Sequence, residues 1–243
     1  APIDILDSAG TLMLPIEGGT WFDSARIGKN IEKYETIIYF THFKGHGSAG
    51  FGGCIKNVSM GMATIEGKKL MHFNNFPKTD STKCIGCCAC VADCPVGAIT
   101  LNPLNIDKAK CIGCGKCITS CHVAAISNPT DTDKTRRFLE GLVEYAKPVC
   151  ELKTSIYFNV IINVSPSCDC ARNPKKPFVA DIGILASFDI VAIEAAAHDL
   201  VDKAHKCNDA FLKENSVSGK HQIAYAAKMS MGNIKYRLIN IDK

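Results

Sequence analysis

The sequence predicts an α/β protein, with a mixed α+β arrangement as the variant, interrupted near its middle by a small cysteine-rich unit. Three observations lead there. Apolar, β-branched stretches alternate with helical-period stretches on both sides of the chain. One segment repeats itself at an offset of 27 residues. Nine of the 14 cysteines fall between Cys84 and Cys121, eight of them at matching positions of the repeat. The composition breaks at the edges of that segment, so residues 1–79 are read as the first part of the α/β domain, 80–128 as the insert and 129–243 as the second part.

The flanking elements follow in order. Ser24 to Glu35 is expected as a helix with Ser24 as its N-cap. Thr36–His42 (TIIYFTH) is β-branched and aromatic, which predicts a strand. After the insert, Thr132 or Asp133 is placed to cap a helix running through about Ala146 and ending before Pro148. Ser155 to Val164 and Asp181 to Ser187 read as strands. Asp189 to Ala204 reads as an Ala-rich helix, with Ile190, Ile193, Ala197 and Val201 at helical spacing. Few strands can be counted, so the sheet is expected to be small.

The repeat carries the chemistry. Lys83-Cys84-Ile85-Gly86-Cys87 aligns with Lys110-Cys111-Ile112-Gly113-Cys114, Cys90 with Cys117, Cys94 with Cys121, and Ala98-Ile99 with Ala125-Ile126. Each copy reads C-x2-C-x2-C-x3-C. In that run three close thiolates hold one iron–sulfur cube and the fourth reaches across to the other. Cys84, Cys87, Cys90 and Cys121 are therefore expected on one [4Fe–4S] cluster, and Cys111, Cys114, Cys117 and Cys94 on a second. A four-cysteine zinc site is the alternative, but two interleaved fours fit zinc ribbons poorly. Thiols spaced this closely, with no export signal in the sequence, read as metal ligands rather than disulfides and imply a reducing, cytoplasmic setting. Two clusters at about −2 each would offset the formal net charge of +4.

Residues 80–128 resemble a bacterial two-cluster ferredoxin. The second copy has His122 where the first has Pro95. Beside Cys121, an imidazole could hydrogen-bond toward sulfur, although a tolerated surface residue is the simpler reading. Cys88 takes the place of Gly115 and is expected to be a spare buried thiol.

Two loops outside the insert are candidates for ligand contact. Gly45 to Gly53 packs Gly45, Gly47, Gly50, Gly52 and Gly53 into nine residues, between Lys44 and Lys56. Such a backbone can aim N–H groups at an anion, and His42 and His46 can contact the ligand or move protons. Glycines needed only for close packing are the alternative. The formal G-x-G-x-x-G lacks the acidic partner of a dinucleotide site. In Ser165–Arg172, Cys168 and Cys170 can offer two thiolates to a further metal or small ligand, with Asp169 or a distant His completing the set. Arg172, Lys175 and Lys176 would lower the thiol pKa values if close. Cys54, Cys150 and Cys207 read equally well as ordinary buried thiols.

Taken together, THFKGHGSAGFGGCIKNVSMGM (Thr41–Met62), the insert, NVSPSCDC (Asn163–Cys170), DIGILAS with the Asp189 helix, and Lys228–Ile239 resemble the uncharacterised iron–sulfur centre proteins of the domain of unknown function 362 family. The resemblance implies an α/β protein with a ferredoxin inserted, usually preceded by a further α/β segment, so the chain is expected to be a fragment or a short form. Cys54 departs from the small apolar residue expected there. The family supplies no substrate.

Other function classes recede. No apolar stretch nears the roughly 20 residues of a bilayer span. The 28 Lys and Arg residues form no run longer than a pair, which leaves no nucleic-acid stripe. The expected function is single-electron transfer through the two clusters, to or from a redox partner protein or a small molecule bound by the α/β part. No complete acid–base or nucleophile constellation is readable, so the chain is an oxidoreductase, or a component of one, only in that sense. The alternative is a non-catalytic protein that senses oxygen or redox state or serves metal-centre assembly.

Overall fold

The computed structural model describes residues 2–72, 76–127, 132–169, 171 and 174–241, with the backbone alone for 132 and 133. The first part of the chain forms β1 (Thr11–Pro15), β2 (Ser24–Gly28), a 3-10 turn (Lys29–Lys33), β3 (Thr36–His42), β4 (Lys44–His46), β5 (Gly50–Gly52), α1 (Cys54–Met62) and α2 (Ile65–His72). The cysteine-rich segment contains β6 (Lys78–Thr79), α3 (Ala89–Ala92), β7 (Ile99–Thr100), β8 (Asn105–Ile106), α4 (Lys116–Ser120) and β9 (Ile126–Ser127). Then follow α5 (Thr132–Leu152), β10 (Thr154–Ile161), β11 (Gly183–Ser187), α6 (Ile190–His205), α7 (Ala210–Asn215) and α8 (Lys220–Lys228).

The fold is mixed α and β, in keeping with the α/β expectation. Its central sheet has the order β11-β10-β3, with β10 parallel to β3 and antiparallel to β11. Tyr39 and Tyr157 point from the sheet into the core and stack at 5.5 Å, beneath α1, α5 and α6. On the other face Ile38, Phe40 and Ile184 remain exposed. Asp189 caps α6 by accepting from the Val191 and Ala192 amides, as its position before the helical apolar pattern requires. Among the described residues, no helix is long and apolar enough to cross a membrane.

Two expectations fail for physical reasons. Ser24–Glu35 is no helix: Ser24–Gly28 pairs antiparallel with β1, burying Ala25 and Ile27 completely. Their alternation outweighs the N-cap signal of Ser24, and only the short 3-10 turn follows. The helix after the insert does not stop before Pro148 but runs through it to Leu152. A proline inside a helix costs about 3 kcal/mol, and burial of Val149 just beyond it offsets about 1.5–3 kcal/mol of that. Val149 is fully buried. The side chains of the expected caps Thr132 and Asp133 lie outside the described residues.

Candidate metal centre and adjoining cavity

The 27-residue repeat of the sequence is a repeat of geometry. The β6–β9 pair closes the segment, and β7–β8 forms its counterpart. The Asp80 amide donates to Ala125 O, and that of Asp107 to Ala98 O, both at 2.8 Å. Left-handed backbone recurs at Gly86 and Gly113, and again at Cys88 and Gly115. The Ala98 amide donates to Cys94 Sγ and the Ala125 amide to Cys121 Sγ, both at 3.2 Å. Asp93 and Ser120, equivalent positions of the two copies, hydrogen-bond to each other where the copies meet.

This symmetry sorts the eight cysteines into two fours. Cys84, Cys87, Cys90 and Cys121 line one cavity, together with Leu104 and Val123. Cys94, Cys111, Cys114 and Cys117 line another, with Ile99 and Ile106. The aliphatic and sulfur side chains also form one small core, separate from the main one. Burial pushes the thiols of Cys90, Cys111, Cys114 and Cys117 upward, and neighbouring thiols add to the effect. Four thiols gathered with little aliphatic support make a poor core by themselves, and as thiolates they require a compensating positive charge. Among the described residues, no group of three or more His, Cys, Asp or Glu side chains could hold a single metal ion. Thiolates around one zinc stand only about 3.8 Å apart, given Zn–S bonds of ~2.3 Å, whereas a cube places iron and sulfide between its ligands. Two sets of four thiols match the donor number that two cubes take.

Cys88 departs from its expected burial. It is exposed, at φ 62°, and lines the first cavity beside Cys87. His122 is exposed, and the hydrogen bond to Cys121 Sγ comes from the Ala125 amide.

The glycine loop is folded as the β4–β5 hairpin leading into α1, and most of it is a packing device. Gly45 lies against the Pro166 backbone so closely that a Cβ would stand 2.2 Å from Pro166 O. The N-terminus of α1, the expected anion cradle, meets a carboxyl group of the chain itself: Glu194 Oε1 accepts from the Cys54 amide at 2.6 Å and from Asn159 Nδ2 at 3.0 Å. A Cβ on Gly53 would be 2.2 Å from that carboxylate. His46 is buried, and its Nδ1 accepts from the Ser48 and Ala49 amides, while burial holds its pKa well below the usual value. It is thereby a neutral strut of the turn. Lys44 and His42 turn toward Asp169: His42 Nδ1 lies 2.8 Å from Asp169 Oδ1, and Lys44 Nζ 3.5 Å from Oδ2. Gly50 and Gly52 are buried within the hairpin. Gly47 alone of the five glycines faces the cysteine unit, where a Cβ would be 3.6 Å from Thr119 of α4.

There a cavity of about 640 Å³ opens, with no direct sign in the local sequence. Gly47 of the glycine loop, Pro166 and Ser167 of the loop after β10, and Cys121 and His122 of the cysteine unit all line it. Lys175 and Glu214 complete its charged lining. Two loops singled out for ligand contact thus converge beside a candidate cluster ligand. Cys170 and Arg172 lie outside the described residues. Cys168 is half-buried, and Asp169 is engaged by His42 and Lys44. Cys54 is a buried thiol bonded to Asn159 Oδ1 at 3.2 Å. Cys150 accepts from the Tyr157 hydroxyl, and burial pushes its pKa up to about 11.

No curated protein and no solved structure matches the chain. The family model described as a domain of unknown function, DUF362, matches residues 1–199, on both sides of the cysteine unit and through it, and the chain therefore belongs to the DUF362 family.

Proposed function

We propose that the protein is an iron–sulfur electron-transfer protein. Cys84, Cys87, Cys90 and Cys121 would hold one [4Fe–4S] cluster, and Cys94, Cys111, Cys114 and Cys117 the other. The observation that carries this reading is the sorting of the eight repeat cysteines, four to each of two cavities related by the repeat. When bound, such clusters supply reversible one-electron chemistry. The chain's own part is to tune and insulate them. The amides of Ala98, Ala125 and Gly113 donate to cysteine sulfurs, which stabilises negative charge there and raises a reduction potential. Ile99, Ile106 and Ile126 exclude water. Electrons would pass to or from a partner protein, or a small molecule in the cavity that touches Cys121.

Substituting one ligand of each four tests the assignment. Cys84→Ser should lose or alter one cluster signal and leave the other, and Cys111→Ser should do the reverse. If both variants disturbed the same signal, the division would be wrong.

A second reading has one observation in its favour. Cys87 and Cys88 are exposed at the rim of the first cavity, where oxidants have access, as a redox or oxygen sensor would need. Loss of that cluster in air, coupled to a change in partner binding, would favour sensing or metal-centre assembly. Reversible reduction with unchanged secondary structure would favour electron transfer.

A further inference from the structure

The cavity beside Cys121 has a lining whose charge is uneven. Four ionisable side chains other than the thiol bear on it: Lys175, His122, Glu214 and, behind Glu214, His205. Glu214 Oε1 lies 3.5 Å from His205 Nε2, which pairs with it as an ion only when the imidazole is protonated. The Lys175 ammonium has no ion-pair partner among the described residues. Its backbone is nevertheless fixed, because the Lys175 amide donates to Ser167 Oγ at 3.0 Å, and Ser167 is itself held by Ser165. Ser167 is only 2% exposed, yet it lines the cavity. Thr119 also lines the cavity, and because its Oγ1 donates to Lys116 O it can only accept from a ligand. Ile118, Ile126 and Pro166 supply the apolar remainder. The volume falls within the range of about 300–1,000 Å³ typical of small-molecule sites.

We infer that this cavity binds a small oxyanion-bearing molecule, a carboxylate or a phosphate compound, whose charged end is held by Lys175 with Ser167. The anion would take a charge-assisted hydrogen bond from Lys175, which is itself exposed, beside the buried Ser167. Cys121 places the other end of the ligand beside the first four-thiol cavity, so the redox sense of the site rests on the electron-transfer reading. Anion binding itself does not depend on that reading. Lys175 is the specificity-determining residue, since a cluster carrying about −2 next door would otherwise repel an anion.

The test uses the full chain purified without oxygen, in equilibrium dialysis against inorganic phosphate and against succinate at fixed ionic strength. At least one should bind saturably. Lys175→Glu should weaken binding by about tenfold or more, the factor expected when a charged hydrogen bond is lost. Lys176→Glu makes the same charge change at an exposed residue outside the cavity and should leave binding unchanged. Iron content and circular dichroism of each variant check that the fold persists. If neither anion binds saturably, or Lys176→Glu weakens binding as much as Lys175→Glu, the inference is overturned. Eight irons without anion binding would remove the site and keep the electron-transfer reading. Anion binding by an iron-free chain would keep the site and remove that reading.

Discussion

Glu194 illustrates how much rests on single residues. It is wholly buried, and burial pushes its carboxyl up to about 7 although Asn159 and the Cys54 amide pull the other way. A folded-state value above the unfolded one, near 4.5, gives stability that is fully present below about pH 4.5 and lost as pH rises through about 7. Between about pH 4 and pH 8, wild type should therefore lose about 3 kcal/mol more than Glu194→Gln. The neutral histidines His46 and His72 titrate in both proteins and cancel in the difference, so parallel urea-denaturation profiles would refute the account. At Cys88 the left-handed backbone of a non-glycine residue is strained, and Cys88→Gly should raise stability by up to about 1 kcal/mol in the same assay. The repeat that spaces eight of the cysteines was legible in the sequence because it is written in local spacing, and the backbone repeats it. The bond between Glu194 and the Cys54 amide was not, because 140 residues separate its partners and neither position carries a local signal.

At the scale of elements, the β4–β5 hairpin distinguishes packing glycines from a glycine at a ligand cavity. Gly45→Ala drives a Cβ into the Pro166 backbone and should cost about 1–3 kcal/mol. Gly47→Ala meets Thr119 at ordinary contact distance and should change stability by less than about 0.5 kcal/mol. Equal effects in thermal melts would mean that the hairpin is not packed as described. Helix α5 holds the β1–β2 region through Glu144, which accepts from the Thr20 and Phe22 amides and from the Tyr225 hydroxyl. Glu144→Ala strands those donors, of which the Tyr225 hydroxyl is buried, and should cost about 1–3 kcal/mol by urea titration. A cost below about 1 kcal/mol would show that water satisfies them. The strands β3, β10 and β11 and the helix α6 were readable from alternation and helical spacing. Helix α5 beyond Pro148, and strand β2 in place of a helix, were not, since burial against distant segments overrode the local signals of Pro148 and Ser24.

For the molecule as a whole, the main core and the cysteine unit are built on different principles. The main core closes on aliphatic and aromatic burial, with Phe43, Phe51 and Phe211 in mutual contact. The cysteine unit gathers thiols where other small folds gather aliphatics. It follows that removing iron should melt the unit, from about residue 78 to residue 127, and leave the α/β part folded. Hydrogen exchange after anaerobic chelation checks this: deprotection confined to that segment is expected, whereas uniform deprotection would mean that one core supports both. The two parts meet at Ser48 beside Gly115, at Gly47 beside Thr119, and around the cavity next to Cys121. The sequence supplied the pieces of that junction but not their convergence, which depends on how the insert docks. The most direct test of the central claim is iron, sulfide and metal content of the anaerobically purified chain, with dithionite reduction followed by EPR. The account predicts about eight irons per chain and two interacting reduced cubes. Zinc in their place, or no reducible signal, would contradict it.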